Sequence, residues 1–334
     1  MQFSRYCTSQ QQLYLPPLLD YLHQAQPDEP HSWQEWLITP IWGGQNNLLY
    51  HTRRDETAFA VKFTRLDERR RASREFHALW ALQAAGLDLA PVPFVLVEGR
   101  YHGRQAVIQS WLDGLVDPTP SQSPTEWERL LDHLLAVQTV RPSATAVPLP
   151  PATLCATNPR ELLTFLQQRA TALPPDALIE PVAVLLSRLE KRKFPDWVAP
   201  SLALLHCDPN LRNFVRRPSR WLAVDWENSG WGDPALEVAD LMAHAAYMDV
   251  PHKTWEWVVG MVAERWGDGT AIVRIWAYYP LLLTFWVIIF TQSMAELAHD
   301  LPSTRLAPRP ADWAETVPYK YDHYLTLANN WVIA

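Results

Sequence analysis

Residues 203–227 read Ala203-Leu204-Leu205-His206-Cys207-Asp208-Pro209-Asn210-Leu211-Arg212-Asn213-Phe214-Val215-Arg216-Arg217-Pro218-Ser219-Arg220-Trp221-Leu222-Ala223-Val224-Asp225-Trp226-Glu227. Two apolar, strand-like runs flank a polar loop, and the second run ends on Asp225. His206, Asp208 and Asn213 stand in the spacing H-x-D-x-x-x-x-N. Asp-Pro and Asn are also ordinary turn residues, so the spacing alone is compatible with a plain loop. The carboxylate at the end of the next strand is what sets the stretch apart.

That pattern has a chemical logic. Phosphates concentrate negative charge, and a hard divalent cation that bridges them takes oxygen ligands from carboxylates and amides. An attacking hydroxyl needs a carboxylate to orient it and accept its proton. Protein kinases meet both needs with H-R-D-x-x-x-x-N followed by a metal-binding Asp on the next strand. On this reading Asp208 is the catalytic base, and Asn213 and Asp225 are Mg²⁺ ligands.

The same stretch resembles the H-G-D-x-H-x-x-N motif of the aminoglycoside phosphotransferase and choline kinase superfamily. Asp225-Trp226-Glu227 with Gly232-Asp233-Pro234-Ala235 resembles that family's I-D-W-E and G-D-P-A signature. Cys207 stands where the family has Gly, and Asn210 where it has a second His. The resemblance implies a bilobal protein-kinase-like α+β fold. A small lobe with a five-stranded antiparallel sheet and one helix would precede a larger, mainly helical lobe. It also implies ATP or GTP as co-substrate, Mg²⁺, and a small hydroxyl-bearing acceptor. His206 would brace the catalytic loop. A strand lysine should contact the α/β-phosphates, and a helix glutamate should hold it. Lys62, in Phe59-Ala60-Val61-Lys62-Phe63, and Glu75, in Arg74-Glu75-Phe76-His77, fit those positions. Glu68 is an alternative partner nearer the helix start. Gly43, Gly44 and Asn47 offer a turn whose N–H groups could meet phosphate, or a plain hairpin. Gln109 and Trp111 fall in the expected hinge, where backbone groups pair with the base.

The rest of the chain sets the frame. Its 334 residues, 48% hydrophobic and 19% charged, suit a compact fold with a large core. A net charge of −7 speaks mildly against nucleic-acid partners. Cys7, Cys155 and Cys207 are scattered and odd in number, which argues against a disulfide framework or a zinc site. No signal-peptide layout opens the chain, and cytoplasmic location is expected. The apolar run 275–290 contains Tyr278, Tyr279, Pro280 and Thr284 and reads as a buried core helix, not a membrane span. Monomer or homodimer are both open.

Local patterns predict helix over 31–37, from Trp33, Trp36 and Leu37 at helical spacing. Strands follow over 38–42, 47–53 and 58–64, then a helix over 66–85 and strands over 92–97 and 105–111. Helices over 124–139, 159–171, 176–192, 235–247, 253–265 and 269–297 follow. The nucleotide-binding lobe, with a helical N-terminal extension, is therefore placed at 1–111 and the helical lobe at 112–334. Acidic and aromatic residues collect around the loop, and Glu227, Trp226 and Trp231 are the expected contacts of an amine-bearing acceptor. A nucleotide-binding protein without turnover is the rival reading. Choline, ethanolamine, homoserine and sugars are open as alternative acceptors.

Overall fold

The computed structural model describes residues 1–42, 47–101, 103–144, 148–174, 177–299 and 311–333. Gly43 and Gly44 lie outside the described residues.

The N-terminal part is built on an antiparallel sheet. Its strands are β1 (Gln2–Phe3), β2 (His31–Trp33), β3 (Trp36–Ile41), β4 (Asn47–Arg54), β5 (Thr57–Arg65), β6 (Pro93–Tyr101) and β7 (Arg104–Ser110). They lie in the order β1-β6-β7-β5-β4-β3-β2. The five expected strands form its body, and β1 and β2 extend its two edges. The helix expected at 31–37 is instead a hairpin. Trp33 pairs with Trp36, and Gln34 takes the left-handed conformation (φ 52°) that lets the chain reverse. Beyond the turn, Trp36, Leu37 and Ile38 alternate buried, exposed, buried, which is the period of a strand.

Alternation on β5 sorts the sheet's two faces. Phe59, Val61 and Phe63 point into an apolar core against Leu15, Leu18, Leu19 and Leu22 of helix α1 (Ser9–Ala25). Those four leucines recur at helical spacing, so α1 presents one stripe to the sheet. Ala60, Lys62 and Thr64 point the other way, where helix α2 (Arg71–Ala84) covers part of the face. Phe76 of α2 packs there with Leu96 and Val107. The next residues of the helix, Ala78, Leu79, Ala81 and Leu82, belong to the larger core of the C-terminal part. α2 is thus shared by both halves.

The C-terminal part is mainly helical. α3 (Pro124–Val137), α4 (Pro159–Thr171) and α5 (Ile179–Lys191) precede four short strands, β8 (Ala203–Leu205), β9 (Phe214–Arg216), β10 (Trp221–Ala223) and β11 (Gly230–Gly232). These form two antiparallel pairs, β8 with β11 and β9 with β10. α6 (Pro234–Ala243), α7 (His252–Trp266), α8 (Ala271–Ala298) and α9 (Trp313–Ile333) complete the chain. The local patterns did not predict α9. α8 has the length and apolarity of a membrane span, but 67% of its most apolar window is buried inside this fold. It packs against α4, α5, α6, α7 and α9.

One glycine lets the segment 150–152 approach β11. Trp231 N donates to Pro150 O (3.2 Å), and Ala152 N donates to Trp231 O (3.0 Å). A side chain at Gly230 would place its first carbon 2.5 Å from Pro150 O and 2.6 Å from Pro151 C, with Ala152 N closer still. All are backbone atoms that cannot swing aside. Gly230→Ala is expected to destabilise the fold by about 2–3 kcal/mol, read from the urea midpoint. An unchanged midpoint would mean that this contact is loose.

Candidate active site

β5 is central in the sheet, and it delivers Lys62 to the face shared with α2. The residue is 4% exposed. A lone buried ammonium would be very costly, and here three carboxylates surround it. Glu75 Oε2 on α2 accepts from Nζ at 2.8 Å, Asp225 Oδ1 is in direct short contact, and Glu227 Oε2 is 3.5 Å away. Burial opposes the lysine charge, but Asp225, Glu75 and Glu227 together outweigh it and hold its pKa far above the ordinary range. On Asp225, burial pushes the pKa up and Lys62 more than offsets it, so this carboxyl stays ionised. Glu75 is pushed up by its burial, against the pull of Lys62.

Glu227 was expected on the acceptor wall. The structure corrects this, because its carboxylate is taken up on the lysine side. It pairs with Arg71 of α2 and accepts from Asn47 Nδ2 at 2.8 Å. Arg71 Nε also pairs with Asp67 (2.9 Å), so two cations, Lys62 and Arg71, face four carboxylates, and the acidic groups outnumber the basic ones. Trp226 and Trp231 are also corrected as acceptor contacts. Trp226 is 0% exposed, with its indole N–H donated to Ala223 O (2.9 Å), and Trp231 is buried in the larger core. Neither offers a face to a ligand.

The loop after β8 is held from two sides. From α6, Glu237 Oε1 accepts from the backbone N–H of His206 (2.6 Å) and of Cys207 (3.3 Å), while its Oε2 accepts from Gln138 (2.7 Å). Just after β10, Val224 O accepts from His206 Nε2 (2.8 Å), and Val224 N donates to Asn213 O (2.8 Å). Burial lowers the His206 pKa, so the ring acts as a neutral strut. Two residues here, Cys207 (φ 57°) and Asp225 (φ 64°), are non-glycine residues in the left-handed region, a strained state that clusters at functional sites. Burial pushes the Cys207 thiol well up, which leaves it a poor nucleophile.

Asp208 stands at the open side of this loop, with 28% of its side chain exposed. Its carboxyl is pushed up to about 7 by desolvation and then by the charge of Asp225. Asn213 Nδ2 donates to Asp208 O (3.2 Å). This fixes the amide so that its Oδ1 makes no bond to a described residue. Asn213 Oδ1 and the Asp225 carboxylate are hard oxygen donors beside the excess negative charge. That set fits Mg²⁺, which is commonly held by one or two protein oxygens plus substrate phosphates.

Two side chains near this loop were not singled out from sequence. Arg71 closes the carboxylate cluster. His244 Nε2 lies 3.8 Å from Asp208 Oδ1, and its Nδ1 accepts from Ala246 N (3.1 Å). Burial lowers the His244 pKa to about 3, so it faces Asp208 as a neutral N–H donor. Nothing local marks it, since its position follows from the length of α6. Asp240, one turn earlier on α6, is 5% exposed and has no hydrogen-bond or ion-pair partner among the described residues. At the hinge, the Trp111 indole donates to Asp113 Oδ1 (3.0 Å) and its ring stacks on His51 at 4.1 Å.

Lys62→Met would leave two buried carboxylates, Glu75 and Glu227, and the partly exposed Asp225 without their shared cation. Removing one partner of a buried ion network costs about 3–5 kcal/mol, so chemical denaturation should show a loss on that scale. A loss under about 1 kcal/mol, the scale of an exposed pair, would mean that the cluster does not depend on the lysine.

Comparison with known proteins agrees with this fold. A putative aminoglycoside phosphotransferase from Ralstonia eutropha JMP134 superposes with a TM-score of 0.66 at 16% identity, covering 93% of this chain and 98% of that one. An ethanolamine kinase of Plasmodium vivax gives 0.57 at 15% identity, over 88% and 82%. A thermostable aminoglycoside phosphotransferase mutant, in ternary complex with AMP-PNP and hygromycin B, gives 0.56 at 14% identity, over 86% and 93%. No curated protein matches the sequence. The model of the phosphotransferase enzyme family (APH) matches residues 37–276. That span takes in the body of the sheet from β3 to β7, α2, the Asp208 loop and α6, and the chain belongs to this phosphotransferase enzyme family.

Proposed function

We propose that the protein is a Mg²⁺- and ATP-dependent phosphotransferase that moves the γ-phosphate of a nucleoside triphosphate to a hydroxyl of a small molecule. One observation carries the reading. Lys62, Glu75 and Asp225 come from a strand, a helix and a loop up to 163 positions apart, yet they converge beside Asp208. A cation among carboxylates, next to a carboxyl with a raised pKa and a fixed amide oxygen, is the equipment of phosphoryl transfer. The complex of a fold relative with AMP-PNP supports a nucleotide as co-substrate.

The roles follow from position. The base sits against the backbone at 109–112, and Lys62, steadied by Glu75, meets the α/β-phosphates. Asn213 and Asp225 would hold Mg²⁺, which neutralises phosphate charge when bound. Asp225 contacts Lys62 here, so the lysine is passed from this carboxylate toward phosphate oxygens as the nucleotide binds. Asp208 orients the acceptor hydroxyl and takes its proton as the oxygen attacks phosphorus and the bond to the β-phosphate oxygen breaks. The neutral His244 N–H stands 3.8 Å from the Asp208 carboxylate and adds no charge beside it. Rate acceleration comes from positioning and charge placement, since the protein forms no covalent bond.

The acceptor enters between Asp208 and the C-terminal half of α6. Burial, then Asp208 and Glu237, push the Asp240 pKa well up, because no cation stands by it. An ammonium beside Asp240 would supply one, which supports an amine-bearing acceptor.

Asp208→Asn should lower turnover at least about a hundredfold, with ATP affinity retained. The assay is Mg²⁺-dependent ADP release with a panel of aminoglycosides, amino sugars, choline, ethanolamine and homoserine. Near-normal turnover in this variant would remove Asp208 from the mechanism. Asp225→Asn should abolish the Mg²⁺-dependent part of nucleotide binding, measured by calorimetry with and without EDTA. A base must be deprotonated to act. With its pKa raised to about 7, kcat/KM should therefore fall tenfold per unit on the acid side of that pH. A flat profile down to pH 5 would contradict the role.

A further inference from the structure

The cleft face of the N-terminal sheet carries a polar side chain that the mechanism leaves unused. β4, β5 and β7 place His51, Ala60 and Gln109 directly opposite one another in one row, and Leu49, Lys62 and Val107 in another, two positions along. Side chains two apart on a strand share a face, so Gln109 looks the same way as Lys62, about 7 Å further along. This is the end where β7 leaves the sheet and the chain crosses toward the helical part.

Gln109 is 3% exposed, its Oε1 is sealed from solvent, and its side-chain amide makes no hydrogen bond to any described residue. A buried amide without a partner is costly until a ligand supplies one. Two neighbouring backbone N–H groups are already committed. Ser110 N donates to Val92 O (2.9 Å), and Trp111 N donates to Ala58 O (3.1 Å). At the opposite end of the row, His51 Nε2 is also buried without a partner.

The next step rests on the phosphotransferase reading. If Lys62 marks the phosphates, the base lies further along the same face, under Ala60 and beside Gln109. A carboxamide offers one acceptor and one donor side by side. Adenine matches it with the N6 amino donor and the N7 acceptor, a bidentate pair. Guanine presents two acceptors there, O6 and N7, so the glutamine carbonyl would stay buried and unpaired. We propose that the side-chain amide of Gln109 reads the N6/N7 edge of adenine and makes this protein select ATP over GTP.

The test is direct nucleotide binding by the full chain, read by displacement of a fluorescent ATP derivative in Mg²⁺. Four competitors are compared: ATP, GTP, 7-deaza-ATP (no N7 acceptor) and purine riboside triphosphate (no N6 amino group). The wild type should bind ATP at least about tenfold more tightly than each of the other three. Gln109→Met keeps the length without the amide, and should bind ATP and the two analogues equally. Wild-type protein that binds ATP and both analogues alike overturns the proposal and leaves the phosphotransferase reading standing. So does a Gln109→Met variant that keeps the full preference. Wild-type protein that binds none of the four overturns both. The wild-type arm decides even where the variant fails to fold.

Discussion

A single buried ammonium sets the terms for the active site. Lys62 sits on a central strand, where the sheet fixes its position, and 4% exposure leaves water almost no part in solvating it. Its charge survives only because Glu75 arrives from α2 and Asp225 and Glu227 arrive from beyond β10. α2 must therefore dock on the sheet and on the helical part at once, and its apolar residues are divided between the two cores. Breaking this arrangement would strand a cation in one half and carboxylates in the other, a large penalty. The electrostatic demand of one residue thus ties the two halves together.

The Asp208 loop depends on the same economy of neutral supports. Asp208 and Asp225 are already close enough to raise the Asp208 pKa. A further charged brace would shift both. His206 and His244 are kept neutral by burial; His206 holds Val224 O just after β10, and His244 stands beside Asp208 without adding a cation. Glu237 spends its carboxylate on two backbone N–H groups. It sits in the first turn of α6, where the helix dipole favours negative charge. Asp233 caps that helix through Ala235 N (2.9 Å) and pairs with Arg274 (3.4 Å). A residue outside the chemistry thereby sets the direction of the helix that carries Glu237, Asp240 and His244.

The left-handed backbone at Cys207 gives a physical meaning to a departure from the family pattern. The motif it resembles has glycine there, the residue that adopts positive φ without strain. This chain keeps the conformation with a cysteine, whose thiol points to Leu154 O at 3.7 Å. Hydrogen bonds from the His206 and Cys207 N–H groups to Glu237 hold the chain in this strained conformation.

Much of this was legible in the order of residues. The H-x-D-x-x-x-x-N spacing, the strand ending in Asp225, and the lysine in an alternating strand are short-range patterns, and each names a residue from its neighbours alone. The hairpin at 31–37 was misread because tryptophans at helical spacing outweighed a turn that depends on one positive φ. α9 went unpredicted, and its place is set by packing on α8. Trp226, Trp231 and Glu227 were assigned to the acceptor because sequence shows that an aromatic or an acid is near, but not which way it points. Trp226 turned inward to fill the core, and Glu227 turned toward Lys62 and Arg71. The sequence by itself determined the chemistry available and the elements that carry it. Only the tertiary structure decided which carboxylates face the lysine and which stand apart from it, because that partition follows from where α2 and α6 dock, and docking is a property of distant surfaces.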